Sequence, residues 1–532
     1  MADVYSSAAS VVSWLGEQDS HTKPGFDVLR ELKRLSEHSP NLLEKLSPGC
    51  HDYGKQLAKI FSSRESWVSV ANVFQRTYFT RVWIIQEVVL AKVVKALCGS
   101  EEIEWSAITA ASHFFSTTAW RDYLFTLYTE SVEPQLGPRE RMDIIRFRYQ
   151  APTILRSTTW ECEKRKELPY QNEKRHQWAK ILLYTLIRSL NFKATDPRDK
   201  IYALLGLVHD YARDKPGLLP AYELEETRSP AKAFISAAIQ ILEDSDDLLL
   251  LSCVEGESFQ REATGRLPSW VPDWTSEEST GLRVTGYERY SASGSLKQRP
   301  TIDRQALTLG MNGIRLDHVT MVGESKQEVL QGKPFPNWLL ILESLETWYG
   351  RARSEHRLDV FWRTLIVNTA DYPPKLVPKT TSLGASFAKW FQEMRRVHDS
   401  SDPESEWEGL ANRLSEVMDK MWEPQARGAA KLSDFTTPFS LSHHLRIFRT
   451  SEGYLGLGSE CVQPGDWVWI VPASRVPLIL RASHEVRSRE HRHRLVGGSY
   501  LHGFMEGEGV SPTLTGKTLE EIERSMERFM LE

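Results

Sequence analysis

A chain of 532 residues with 66 Lys and Arg against 71 Asp and Glu has a formal net charge of −5, so no global field draws it to nucleic acid. Its length exceeds one ordinary core and predicts roughly two to four domains, while 41% hydrophobic and 26% charged residues match a soluble globular protein. Five scattered cysteines without a CxxC pair, no membrane-length apolar run and no signal-peptide text argue against a disulfide framework, a zinc ribbon or a membrane span.

Cytoplasmic placement is therefore expected, with the nucleus left open. The 17 tryptophans predict several aromatic-rich packing centres.

Residues 2–9 read as the end of a helix, and Ser10-Val-Val-Ser-Trp-Leu-Gly16 as a short buried strand. A strand so placed needs neighbours, and no earlier segment supplies them. Residues 17–25 read as a loop. Phe26, Leu29, Leu32, Leu35, Leu42, Leu43 and Leu46 carry helical spacing, interrupted at Pro40. Trp67 to Leu90 reads as one helix and Val93 to Cys98 as a strand closed by Gly99. Two such helix and strand units predict a sheet with helices packed on it.

From Trp105 to Arg148 the chain turns helical, and residues 150–177 read as a charged, exposed excursion. Thr195-Asp-Pro-Arg-Asp-Lys200 reads as a helix start, with Asp196 as N-cap, Pro197 in the first helical position and Asp199 in the first turn. A helix over 229–243 and the apolar run Leu248–Cys253 follow. Leu267-Pro-Ser-Trp-Val-Pro-Asp-Trp274 reads as an extended clamp packed on the preceding helices. Strands are expected at Leu307–Leu309 and Val319–Val322, and helical periodicity returns over 336–435, interrupted at 372–380 and 399–406. Short β-prone runs between 445 and 505 predict a small barrel or sandwich. Residues 518–531 read as an amphipathic helix.

Several landmarks in this order resemble the fungal heterokaryon-incompatibility (HET) domain proteins. They are Asp3-Val-Tyr-Ser-Ser7 with Val12-Ser-Trp-Leu-Gly16, Arg81-Val-Trp83 with Gln86-Glu87, and Cys98-Gly99 with Trp105. Thr195–Lys200 before Tyr202-Ala-Leu-Leu-Gly206 follows, then Ser269-Trp-Val-Pro-Asp-Trp274, Pro464-Gly-Asp466 and Leu495-Val-Gly497 leading to Tyr500 and His502-Gly503.

The resemblance implies a partial TIR-like, flavodoxin-like α/β domain over 1–105. Beyond it are expected a helical region over 106–290 containing the clamp, a mixed strand and helix region over 291–440, and a C-terminal β-rich module with a terminal helix over 441–532. The family usually carries preceding strands resembling "LSYxWG" and "WIDAICINQ", both absent here. That implies an N-terminally truncated chain, through an incorrect gene start or as a truncated paralogue. The resemblance also implies allorecognition and programmed cell death through association with other proteins, homo-oligomers included, without a resident cofactor. Some TIR domains cleave NAD through a glutamate in Trp-x-x-x-Glu text, a spacing that Trp83-Ile-Ile-Gln-Glu87 shares.

Glu87 is the candidate catalytic residue, with Trp83 and Arg81 as candidate substrate contacts and NAD as the possible substrate. On a helix spanning 80–91 its neighbours three and four residues away are Ile84, Trp83, Leu90 and Ala91, none able to pair with a charge. Glu87 then either finds a partner elsewhere and fixes the helix, or works as an acid in an apolar cleft. The plainer accounts make Glu87 structural, Arg81 a surface side chain and Trp83 core. The Asp196–Asp199 cluster is explained by capping, and Arg487–Arg494 by a solvated hairpin tip. His502 with Glu506 and Glu508 lacks a second His at ligand spacing, and His443–His444 is expected to be exposed. No Gly-rich phosphate loop, Ser-His-Asp arrangement or HExxH occurs.

Overall fold

The structure, a computed structural model, describes residues 2–38, 63–118, 120, 124, 151–152, 154–156, 158, 171–213, 215–220, 222, 229–256, 266–276, 289–350, 354–370, 375–378, 381–397, 406–440, 444–483 and 492–532. The expectations for 39–46, for most of 119–170 and for the 484–491 part of the basic hairpin lie outside them. The chain divides into two compact units, Met1–Arg228 and Ser229–Glu532. Each mixes helix and strand.

The first unit begins with α1 (Ala2–Ser7) and β1 (Val11–Trp14). Next come α2 (Thr22–His38), α3 (Arg64–Phe74) and α4 (Ile84–Val89). After them β2 (Val94–Cys98) runs parallel to β1, β3 (Glu101–Glu104) runs antiparallel to β2, and α5 (Trp105–Thr117) follows. Gly99, at φ +57°, turns β2 into β3. Period-two burial divides the sheet. Val11, Ser13, Ala96, Cys98 and Ile103 are buried, whereas Val12 and Trp14 stand on the opposite, exposed face.

α2 starts at Thr22, inside the stretch expected to be loop. Asp19 accepts from His21 N–H and Thr22 Oγ1 at 2.9 Å each, and Pro24 falls in the first turn, where its missing N–H costs nothing. Gly25 lies where α2 crosses α3, since a Cβ there would stand 2.8 Å from Val73 Cγ2. Stacked Trp67 and Trp120, with ring centroids 4.4 Å apart, form one aromatic centre. The single helix expected over 67–90 is three pieces: α3, a 3-10 turn at Thr77–Thr80, and α4. Apart from Arg81, Thr77-Tyr-Phe-Thr-Arg-Val-Trp83 is all β-branched or aromatic, residue types that form helix weakly. Its backbone pairs instead with Lys193, which accepts from Val82 N–H at 2.9 Å and donates to Thr80 O at 2.5 Å. The second half of the unit contains α6 (Gln171–Ser189) and α7 (Asp199–Leu205), so the exposed excursion expected to run to 177 is helical from Gln171.

The second unit is built on a barrel. Beside the short strands β4 (Thr301–Asp303), β6 (Trp348–Tyr349), β7 (Glu355–His356), β8 (Thr369–Ala370) and β9 (Lys375–Leu376), β5 (Thr308–Ser325) is one long strand where two short ones were expected. It pairs antiparallel with β12 (Trp467–Ile470) and with β16 (Glu527–Leu531). Between them β13 (Leu478–Ala482) joins β12 to β14 (Arg492–Gly498), and β14 runs parallel to β16, closing the circuit. The last segment is therefore a strand where a helix was expected. Thr518 and Glu521 form a capping box for only a short helix, Leu519–Arg524, and Phe529 and Leu531 then alternate inward with period two.

The far half of β5 carries β10 (Leu445–Thr450), β11 (Leu455–Ser459) and β15 (Tyr500–Leu501). The clamp bonds to the barrel: Trp270 Nε1 donates to Leu307 O at 3.0 Å, and Ser269 Oγ accepts from Leu495 N–H at 3.0 Å. Helices between 336 and 440 gather a second aromatic centre around Trp338, Trp390, Phe435 and Phe439. Buried Lys326 lies 4.3 Å over the Phe439 ring and donates to Leu365 O at 2.9 Å.

Candidate functional site

Breaking the helix at Thr77–Thr80 gives Glu87 its partner. The break turns Tyr78 back toward α4, and its Oη lies 2.9 Å from Glu87 Oε2 and 2.7 Å from Ser13 Oγ on β1. A phenol has one proton and a carboxylate only accepts, so Tyr78 donates to Glu87 and Ser13 turns its own proton to the phenol oxygen. Burial and the Glu87 charge hold the Tyr78 phenol protonated well above its ordinary range. Tyr5 is raised by the same causes and lowered by Arg81, which places Arg81, Glu87 and both tyrosines within one electrostatic neighbourhood. Arg81 itself is exposed and Glu87 half-buried.

Trp83 points elsewhere. Its Nε1 donates to Asp199 Oδ2 at 3.0 Å, and Tyr222 Oη donates to Asp199 Oδ1 at 2.5 Å. Asp199 lies in the first turn of α7, as expected, but its carboxylate binds aromatic donors. Asp196 is not the N-cap: Arg198 occupies that position, and Asp196 accepts from Arg198 N–H and grips the Arg198 guanidinium from two residues outside. The Arg198 side chain then lies 5.0 Å over the Tyr222 ring.

Next to Glu87, Gln86 is buried, and its Nε2 donates to Ala203 O at 2.9 Å. Gly206 makes room for it, because a Cβ there would lie 2.6 Å from Gln86 Cδ. The two landmarks Arg81–Glu87 and Thr195–Gly206 thus form one joint through Trp83–Asp199, Gln86–Ala203 and the Lys193 backbone. Trp83 and Glu87, read in the sequence as parts of one candidate site, face different partners. Tyr78, Ser13, Asp199 as an acceptor and Gln86 were missed. The run of poor helix formers at 77–83 was the one signal in the text that could have found Tyr78.

In the second unit, His502 lies between Tyr500 Oη, 2.9 Å from Nδ1, and Glu355 Oε2, 3.0 Å from Nε2, while Glu508 accepts from Glu506 N–H. His444 is fully buried, contrary to expectation, with Nε2 3.6 Å from Glu255 Oε1. No group of three or more metal-ligating side chains occurs among the described residues. Nor is any helix among them long and apolar enough to cross a membrane.

Two family models match the chain. Heterokaryon incompatibility protein (HET) covers residues 1–87, ending at Glu87, and Het-6 beta-barrel domain covers 351–514. Two strands of the closed circuit, β5 and β16, lie outside the second match. The chain is 22% identical to heterokaryon incompatibility protein 6, OR allele, of Neurospora crassa, over 96% of its own length and 78% of that protein's. No solved structure matches.

Proposed function

Because the chain belongs to the HET-domain family, we propose that it acts in heterokaryon incompatibility, chiefly by associating with other proteins in a cytoplasmic allorecognition and cell-death pathway. The observation that carries this reading is the likeness to an incompatibility protein over 96% of the chain, with both family matches in one polypeptide. The Glu87 carboxylate ties α4 to Tyr78 and, through it, to β1, which supports a structural role for that residue. The TIR-like reading of the first unit rests on the family resemblance and on the parallel β1–β2 pair with helices packed against it.

Inducible expression of the full chain in a filamentous fungus tests the role. Growth arrest with uptake of a vital dye in heterokaryons between unlike strains is expected. Unchanged growth in every pairing would overturn it.

The same purified protein separates association from NAD cleavage. Glu87→Gln and the wild type should leave NAD equally intact, and NAD consumption lost on that substitution would replace the reading with a hydrolase. Glu87→Ala should lower the unfolding free energy by about 1–2 kcal/mol, the cost of taking the acceptor from a buried phenol that keeps Ser13. Urea denaturation followed by tryptophan fluorescence measures it, and a change near zero would show that the Tyr78 bond carries no stability.

A further inference from the structure

Ser291 N–H donates to Met505 O at 2.8 Å and draws together two turns of the second unit, one through Gly294 and one through Gly507. Both glycines have left-handed torsions, φ +55° and φ +87°, and a Cβ on Gly507 would stand 3.2 Å from Gly294 Cα. Two turns without side chains leave a notch of about 250 Å³ beside them. Leu296 and Val510 of the barrel core line it, with Pro512 and Leu519. All of its lining residues fall in the continuous stretches 289–350 and 492–532. Its surroundings are acidic as well as apolar. Glu506, exposed on the rim, donates its N–H to Glu508 Oε2 at 2.7 Å. Glu506, Glu508, Glu520, Glu521 and Glu523 stand against only Lys517 and Arg524, and Arg524 is held by Glu520 at 3.2 Å.

We propose that the notch seats an apolar side chain from a basic segment of a partner protein, whose flanking Lys or Arg residues reach Glu506 and Glu508. The inference rests on the protein-association reading and gives the chemistry of the partner in it.

Size and charge select this occupant. The notch has room for one side chain and falls short of the roughly 300–1,000 Å³ that small-molecule pockets offer. No cation answers Glu506 among the described residues: burial and the Glu508 charge act on its carboxylate, and both raise its pKa. A Lys or Arg at the rim offsets both effects, whereas a nucleic acid or an anionic lipid surface is repelled. Leu514 and Leu519 stand 59% and 46% exposed and extend the apolar surface beyond the notch. A basic amphipathic segment presents apolar positions and cations together, and so matches the whole patch. One anchor with solvent-exposed ion pairs binds weakly, with a Kd of about 1–100 µM.

Fluorescence anisotropy of the full-length protein with a short labelled amphipathic peptide of leucine and arginine tests the notch. Binding in that range is expected, at least about tenfold weaker when glutamate replaces the arginines or serine the leucines. Glu506→Lys and Leu519→Lys should each raise Kd at least about tenfold. Both side chains face solvent, and unchanged circular dichroism confirms that each variant folds. Glu416→Lys makes the same charge change at an exposed position of the helix Glu406–Met421, and should leave Kd within about twofold. Three results would overturn the proposal: no binding at about 200 µM, affinity kept in both notch variants, or an equal loss in Glu416→Lys. So would a reversible dimer in sedimentation that Leu519→Lys abolishes, because the occupant would then be a second copy of this chain. Anisotropy judges the notch and fungal growth judges the incompatibility role, so either can fail alone.

Discussion

Arg481→Met lowers the unfolding free energy of the barrel by about 3–5 kcal/mol, more than Asp466→Asn does. The pair joins β13 to the Pro464-Gly-Asp466 turn, with Arg481 Nε 2.8 Å from Asp466 Oδ1 and Nη2 2.9 Å from Oδ2. The two ends are not equally buried. Asp466 is 1% exposed and Arg481 34%. Losing Arg481 leaves the buried carboxylate with only the Gln463 N–H, at 3.0 Å, and a buried charge without its counter-ion is the costly outcome. Losing the Asp466 charge leaves a guanidinium that water already reaches, and an asparagine still accepts one hydrogen bond, for a loss of about 1–3 kcal/mol. Arg481 Nη2 also donates to Cys461 O, which adds to the larger loss. Thermal and urea unfolding of the two variants measures the difference. Equal losses would mean that burial of the carboxylate does not govern the pair.

The asymmetry of that pair could not be read from the text, although Pro464-Gly-Asp466 stood out as a landmark. Local pattern carried some elements well. β1 and β2 are where short apolar runs closed by glycine place them, and the buried stripe Phe26, Leu29, Leu32 and Leu35 of α2 is the one its spacing dictates. Pattern failed where tertiary pairing outbid it. Residues 75–83 continue a helical periodicity, yet their backbone pairs with Lys193, more than a hundred positions away. Residues 527–531 follow a capping box and would extend a helix, but β5 and β14 offer them a ladder. Long-range partners are invisible to a window of neighbouring residues, and both errors have that cause.

The candidate site repeats the lesson at the level of side chains. Sequence reasoning asked which charges stood three and four residues from Glu87 and found none. The partner is a neutral phenol nine residues back, delivered by a break that the helix reading had excluded. His444 before β10 likewise looked like an exposed loop residue, and only the fold reveals Glu255 beside it.

Gly206→Val should cost about 3 kcal/mol, at the upper end of what overpacking a filled interior takes. The backbone is not the obstacle, since Gly206 has ordinary helical torsions of φ −61° and ψ −29° that any residue adopts. The obstacle is Gln86. Its Cδ, Oε1 and Nε2 would lie 2.6–2.8 Å from the new Cβ, and they cannot swing away without surrendering the bond from Nε2 to Ala203 O. The damage is therefore a clash between two named residues, and a second change should relieve it. Gln86→Ala alone loses that hydrogen bond and opens a space, costing about 1–2 kcal/mol. Joined to Gly206→Val, it removes the clashing amide and gives the valine methyl groups room, so the double variant should be less destabilised than the sum of the singles by at least about 1 kcal/mol. Additive losses would place the role of Gly206 elsewhere. Coupled losses would show that Gln86 and Gly206, written in two separate landmarks of the chain, are there for each other and hold Trp83 against Asp199.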